Sequence, residues 1–382
     1  MSSDAPAVQR RTTPAELFWD LVFVFAVTQV STLLYHDLTW AGFGRALLIL
    51  ALVWWAWSAF VWATNAHDPN HPTVRAVLFA AMVLAFIVAL AVPEAFGAES
   101  TVFVVAYAGV RFLHVGLYVD ASRRGNASLA AIAGFAVTVA IGMALLIVGA
   151  QLDEPARTIL WTLAVAIDYS GPAWLTRERL RGIQRVAVAH FAERYSLFII
   201  ICLGESIVAT GVGAAGHPLD TELVAAVALS LLVTIGLWWT YFDRVAGVAE
   251  ERLAAHDEPV LAAADAYSYL HLALVTGIIV SAVGAHAAVA HPGEALSEAA
   301  RLALCGGVAL YLAGHIAFGA RLVGELGWGK VVAAVGCLLV FAVAGGLPAW
   351  ATTGLLGAVL VGLDASETFA AVRPRRSPLA AR

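Results

Sequence analysis

Along most of this chain the apolar positions run on without a break instead of alternating with polar ones. Twelve stretches reach the roughly 20 mainly apolar residues that a bilayer-crossing helix needs. They fall near residues 16–35, 43–64, 73–92, 101–120, 128–149, 155–176, 192–213, 219–241, 259–287, 298–322, 331–347 and 349–369. Continuous runs exclude a β-barrel, whose strands alternate between lipid and lumen. The ninth stretch is long enough to tilt or to begin in the interface. Little more than Gly346, Leu347 and Pro348 separates the last two, which predicts a tight hairpin. The first fifteen residues are polar and lead straight into a full-length span, so no cleavable signal peptide is expected.

Composition agrees with this pattern. Of 382 residues, 61% are hydrophobic and 13% charged, and mean hydropathy is +0.83. Soluble domains carry about twice that share of charge, so a soluble fold and a nucleic-acid binder are excluded. The net charge of −5 says little. Arg and Lys placement says more, because cytoplasmic loops are enriched in both. With the N-terminus cytoplasmic, only Arg45, Arg157 and Arg301 fall outside and Arg111 falls within a span; the rest of the 22 Arg and Lys sort to the cytoplasmic side, Arg194 among them. Cys202, Cys305 and Cys337 all lie in spans and read as packing residues, with neither disulfide nor metal spacing.

The basic stretch from Arg177 to Arg194 divides the chain into two sets of six spans. LVWWAW at residues 52–57 has a counterpart in GLWWTY at 236–241, and LAVAIDYSG at 163–171 in AVLVGLDAS at 358–366, which aligns Asp168 with Asp364. The expected architecture is an all-α polytopic membrane protein of about 12 transmembrane helices. It is organised as a 6+6 parallel repeat about an axis along the membrane normal. Its parts are a cytoplasmic N-terminal segment (1–15), a first half (16–176), a basic cytoplasmic loop (177–191), a second half (192–369) and a basic cytoplasmic tail (370–382).

Three stretches then gain meaning together: ELFWDLVFVFAVTQVS (16–31), ERYSLFIIICLGESIVATG (193–211) and WWTYFDR (238–244). The combination resembles the bacterial low temperature requirement A family, over residues 13–369. The resemblance implies a multipass protein of the bacterial inner membrane, linked by the family's name to growth in the cold. It implies no substrate or reaction.

Ionisable residues inside spans carry what chemistry the sequence offers, because each costs from about 2.5 to more than 10 kcal/mol at the bilayer centre. Arg111 is central in the fourth span. Asp168 and Glu205 lie on either side of its depth, so the arginine is expected to contact one of them, either as a structural ion pair or as a charge-compensated site. Gly171-Pro172 should kink the sixth helix beside Asp168. His114 shares the face of Arg111. Asp20 follows Glu16 by four residues on one helix face, which suits either proton exchange or neutralisation of the helix N-terminus. Asp265, Tyr269 and His271 are further candidates to line a pathway. The Trp-rich runs read as packing and interfacial anchors.

Substrate- or ion-binding candidates are therefore Asp20, Arg111, His114, Asp168 and Glu205, with no metal site, no cofactor and no catalytic residue expected. No Walker loop, nucleophile elbow or HExxH motif occurs. A secondary, ion- or proton-coupled transporter of a small solute leads. A membrane sensor or structural component, and a membrane-embedded enzyme acting on lipid, stand as alternatives. Partners are the lipid bilayer and an unidentified solute or ion, with homo-oligomerisation left open.

Overall fold

The structure is a computed structural model that describes residues 11–65, 67, 70–124, 129–172, 187–243 and 245–372. Apart from one isolated bridge between Ala295 and Pro348, regular structure among these residues is helical. In chain order the helices are α1 (Pro14–His36), α2 (Trp40–Asn65), α3 (Pro72–Ala91), α4 (Ser100–Arg123), α5 (Leu129–Ala150) and α6 (Ala156–Ser170). They continue as α7 (Val188–Ala214), α8 (Thr221–Phe242), the short α9 (Val245–Ala254), α10 (Pro259–Ala290), α11 (Glu298–Leu322), α12 (Trp328–Val343) and α13 (Ala349–Val372). Among the described residues, eleven helical segments are long and apolar enough to cross a membrane.

The sixth expected span is described only in part. α6 runs to Ser170, and the backbone at Gly171 and Pro172 widens into a π-type turn at the expected kink. Residues 173–176, and Arg177, Arg179, Arg181 and Arg185 of the basic loop, lie outside the described residues. α7 begins at Val188, so Arg194 is not a loop residue; it is buried within a helix. Its assignment to the cytoplasmic loop fails because carboxylates on α1 neutralise it inside the bundle.

Local signals set the helix ends. Thr13 caps α1: its hydroxyl accepts from the Glu16 amide, and its own amide donates to the Glu16 carboxylate at 2.9 Å. Asp220 and Ser297 cap α8 and α11 through the amides of Leu223 and Ala300. α11 stops where Gly324 takes φ +77° and its amide returns to the carbonyl of Gly319. A short 3₁₀ turn, Ala344–Gly346, joins α12 to α13 in the expected hairpin.

α2 is enclosed along nearly its whole length and forms the centre of the bundle. The exterior is the inverse of a soluble protein's. Phe18, Leu21, Phe112, Ile235 and Val332 stand exposed, as a lipid-facing surface requires. α10 packs closely on α7 and α11. A Cβ on Gly277 would lie 2.5 Å from the Tyr311 amide nitrogen, and one on Gly284 would strike the backbone at Leu304. Small residues thus let α10 and α11 meet backbone to backbone. Residues Ala264–Leu270 of α10 form a π-helical stretch, a local widening that recurs at functional sites.

Candidate functional site

Arg111 sits at the middle of α4 and is 2% exposed. Its Nη2 donates to Asp168 Oδ1 of α6 at 2.9 Å, and Asp168 is 3% exposed. The pair offsets the cost of placing an arginine at this depth. It forms one wall of a cavity of about 70 Å³ lined by α2, α4, α5, α6 and α10. Each buried water needs at least about 10–15 Å³ by this measure, so the space holds several waters or one very small solute.

Its remaining lining is mostly aromatic and aliphatic, including Trp55, Trp62, Phe135 and Val139. Polar groups enter only at Arg111, Asp168, His114, Ser58, Ser268 and the tyrosines 118 and 269. Arg111 Nε and Nη1, and His114 Nδ1, have no hydrogen-bond partner among the described residues. A buried donor left unmade costs about 1–3 kcal/mol, and more on a charged group. The free guanidinium donors beside the cavity are ready to bind an acceptor, and the His114 nitrogen can donate or accept according to its tautomer. Few polar groups in an apolar enclosure is the usual make-up of a small-molecule site.

The π stretch of α10 closes another side. Ser268 Oγ receives Trp62 Nε1 at 2.8 Å and lies within 3.1 Å of Ser58 Oγ and 3.0 Å of the Tyr195 hydroxyl. The Ser268 carbonyl accepts Trp54 Nε1 at 2.7 Å. One residue thereby gathers α2, α7 and α10. Next to it, the Tyr269 hydroxyl donates to the Tyr169 carbonyl at 2.8 Å, and the Tyr169 ring stacks on Trp55 at 3.9 Å between centroids. Trp54, Trp57 and Trp62 of the first tryptophan-rich run are hydrogen-bond donors in the interior, whereas Trp238 and Trp239 of the second stand exposed.

Asp20 belongs to a different cluster. Arg194 of α7 clasps it through Nη2 to Oδ1 at 2.6 Å and Nε to Oδ2 at 3.2 Å. Trp57 Nε1 donates to the same Oδ1 at 2.7 Å. Arg194 Nη1 also lies 3.1 Å from Glu16 Oε1, and His190 Nε2 lies at the same distance from that oxygen. The two carboxylates therefore face a guanidinium, and Asp20 takes no part in capping α1; Glu16 alone does that. Arg194, His190 and Trp57 were missed as site residues. The only sequence signal for Arg194 was its place in the 193–211 motif.

Of the two carboxylates expected as partners for Arg111, Asp168 is the one it meets; Glu205 contacts α1 instead. It is 3% exposed on α7 and meets Thr28 of α1 at 2.5 Å. Asp265 pairs with Arg321 at 2.9 Å, and His271 Nε2 with the Tyr241 hydroxyl at 2.9 Å, so of that trio only Tyr269 lines the cavity. Cys202, Cys305 and Cys337 are buried and free. Among the described residues no group of three or more His, Cys, Asp or Glu is arranged to hold a metal ion.

Residues 11–365 match the family model described as bacterial low temperature requirement A protein (LtrA). An uncharacterized protein of Rhizobium meliloti (strain 1021) is 33% identical over 313 residues, covering 80% of this chain and 76% of the relative. No solved structure matches. With a family match that takes in every helix from α1 to α12 and most of α13, the chain belongs to the bacterial LtrA family of polytopic membrane proteins.

Proposed function

We propose that this protein is an ion- or proton-coupled secondary transporter of a small solute in the bacterial inner membrane, with the Arg111–Asp168 cavity as its solute site. One observation carries this: a cavity beside the middle of α4 whose wall holds a buried ion pair, unpartnered donors on Arg111 and an unpartnered ring nitrogen on His114. Arg111 recognises an acceptor on the solute, Asp168 keeps the site neutral when it is vacant, and the aromatic wall contacts the solute's apolar part. Local backbone irregularities flank the site on two sides, at Gly171–Pro172 and at Ala264–Leu270. Both supply places where helices can pivot during alternating access.

Packing also supports a duplicated architecture. α1 packs on α2 and α3, α3 on α4, α4 on α5 and α5 on α6; α7 packs on α8 and α10, α10 on α11, α11 on α12 and α12 on α13. α2 meets α6 as α8 meets α13. The order is the same in both halves once the short α9 is set aside. In the orientation the basic residues favour, both termini are cytoplasmic.

The test is solute flux. Purified protein in liposomes is offered a defined mixture of small metabolites, with and without an imposed proton gradient, and the retained solutes are identified by mass spectrometry. Gradient-dependent accumulation of a specific solute above protein-free liposomes is expected. No retention above that background under any gradient would overturn the transport reading.

A further inference from the structure

Every other fully buried carboxylate among the described residues faces a cation: Glu16 and Asp20 face Arg194, and Asp168 faces Arg111. Glu205 does not. Its side-chain partners are the hydroxyls of Thr28 and Ser31 on α1. Around it, α7 itself offers Cys202 less than a turn away. One turn further along α7, His286 of α10 meets the Ala209 carbonyl through Nδ1 at 3.2 Å. A lone carboxylate in this setting would cost many kcal/mol, whereas the neutral acid needs only ordinary hydrogen bonds.

The geometry around Thr28 accommodates that proton. Thr28 Oγ1 owns one hydrogen and has two oxygen neighbours, the Val24 carbonyl at 3.1 Å and Glu205 Oε2 at 2.5 Å. A helical threonine commonly gives its hydrogen to the carbonyl four residues back. One hydrogen serves only one of these two contacts well; when it goes to Val24, a proton on the Glu205 carboxyl fills the other, a short O···O contact. The acid has one proton to give, so Ser31, whose hydroxyl lies 3.2 Å from the Val27 carbonyl, is left to donate to the carboxyl and not to accept from it.

We infer that Glu205, seated between Thr28 and Ser31 at the α1–α7 contact, is a proton-binding site that holds one exchangeable H⁺ inside the membrane. On the transporter reading, H⁺ is then the coupling ion. The protonated acid itself does not depend on that reading. α1 and α7 open the two halves, so a proton shared across their contact is well placed to bias how the halves meet.

Infrared spectroscopy of the purified, membrane-reconstituted protein tests this without any solute. The spectrum at neutral pH should contain a carbonyl stretch of a protonated carboxylic acid that is lost in Glu205→Gln and shifted in frequency in Thr28→Val. It should also move to lower frequency after transfer into ²H₂O. Wild type alone gives the isotope result, so a poorly folding variant does not decide the matter. Three results would each overturn the inference: no band difference between wild type and Glu205→Gln, a band that ignores ²H₂O, or a band abolished by NaCl but not by choline chloride. The first means no bound proton, the second a locked one, and the third a sodium site. The band with no solute flux would sink the transporter reading and leave the proton site standing; flux without the band would do the reverse.

Discussion

Replacing Arg194 by leucine should be among the most damaging single changes in this protein. The guanidinium is 1% exposed, makes two hydrogen bonds to Asp20 and lies 3.1 Å from Glu16. Without it Glu16 still has Thr13 and His190, so its loss is partial. Asp20 keeps only the Trp57 indole and becomes a buried carboxylate with one hydrogen bond. Breaking one partner of a buried pair costs about 3–5 kcal/mol, and the loss falls mainly on Asp20. The double change Arg194→Leu with Asp20→Asn removes both charges, so it should recover much of that loss, with a coupling energy of about 2–3 kcal/mol at the upper end of contacting pairs. Equilibrium unfolding of the four proteins in mixed detergent micelles measures the cycle. If Arg194→Leu is no less stable than the double variant, the cluster is not a desolvated pair. The tie it makes between α1 and α7, 174 residues apart, would then be incidental.

Gly284→Leu should prevent α10 and α11 from meeting and abolish the folded, monodisperse species on size exclusion, while Gly211→Ala, which meets open space, should stay within about 0.5 kcal/mol of wild type. Ser268→Ala strips a shared partner from Trp62, Ser58 and Tyr195 and should lower unfolding stability by about 1–3 kcal/mol; an unchanged midpoint would mean the hub is solvated. A cysteine introduced at Ser2 or Ser377 should resist a membrane-impermeant thiol reagent applied to intact cells, against a background kept low because the three native cysteines are buried; labelling at either position would reverse the orientation.

Spans were legible because hydrophobic continuity is a one-dimensional property, and a helix in lipid satisfies its backbone locally. The hairpin before α13 and the disturbance at Gly171–Pro172 were legible for the same reason, since Gly and Pro act on their own backbone. Pairings across helices were only half legible. Depth narrowed the partner of Arg111 to Asp168 or Glu205 without choosing between them. Arg194 could not be paired at all, because a basic residue next to a basic loop counts as loop by charge statistics, and only the third dimension places Asp20 and Glu16 opposite it. Glu205, the other carboxylate that depth offered, is turned toward α1. The π stretch at Ala264–Leu270 left no mark in the sequence beyond an unusually long ninth span.

The central claim is that the Arg111–Asp168 cavity holds the transported solute, and one variant tests it most directly. Arg111→Leu combined with Asp168→Asn removes the buried charges as a pair, so the bundle should remain folded by size exclusion and unfolding midpoint. Reconstituted beside wild type and offered the same metabolite mixture, this variant should lose gradient-driven uptake entirely. A folded double variant that transports as well as wild type would show the ion pair to be scaffolding and would contradict the assignment of the site.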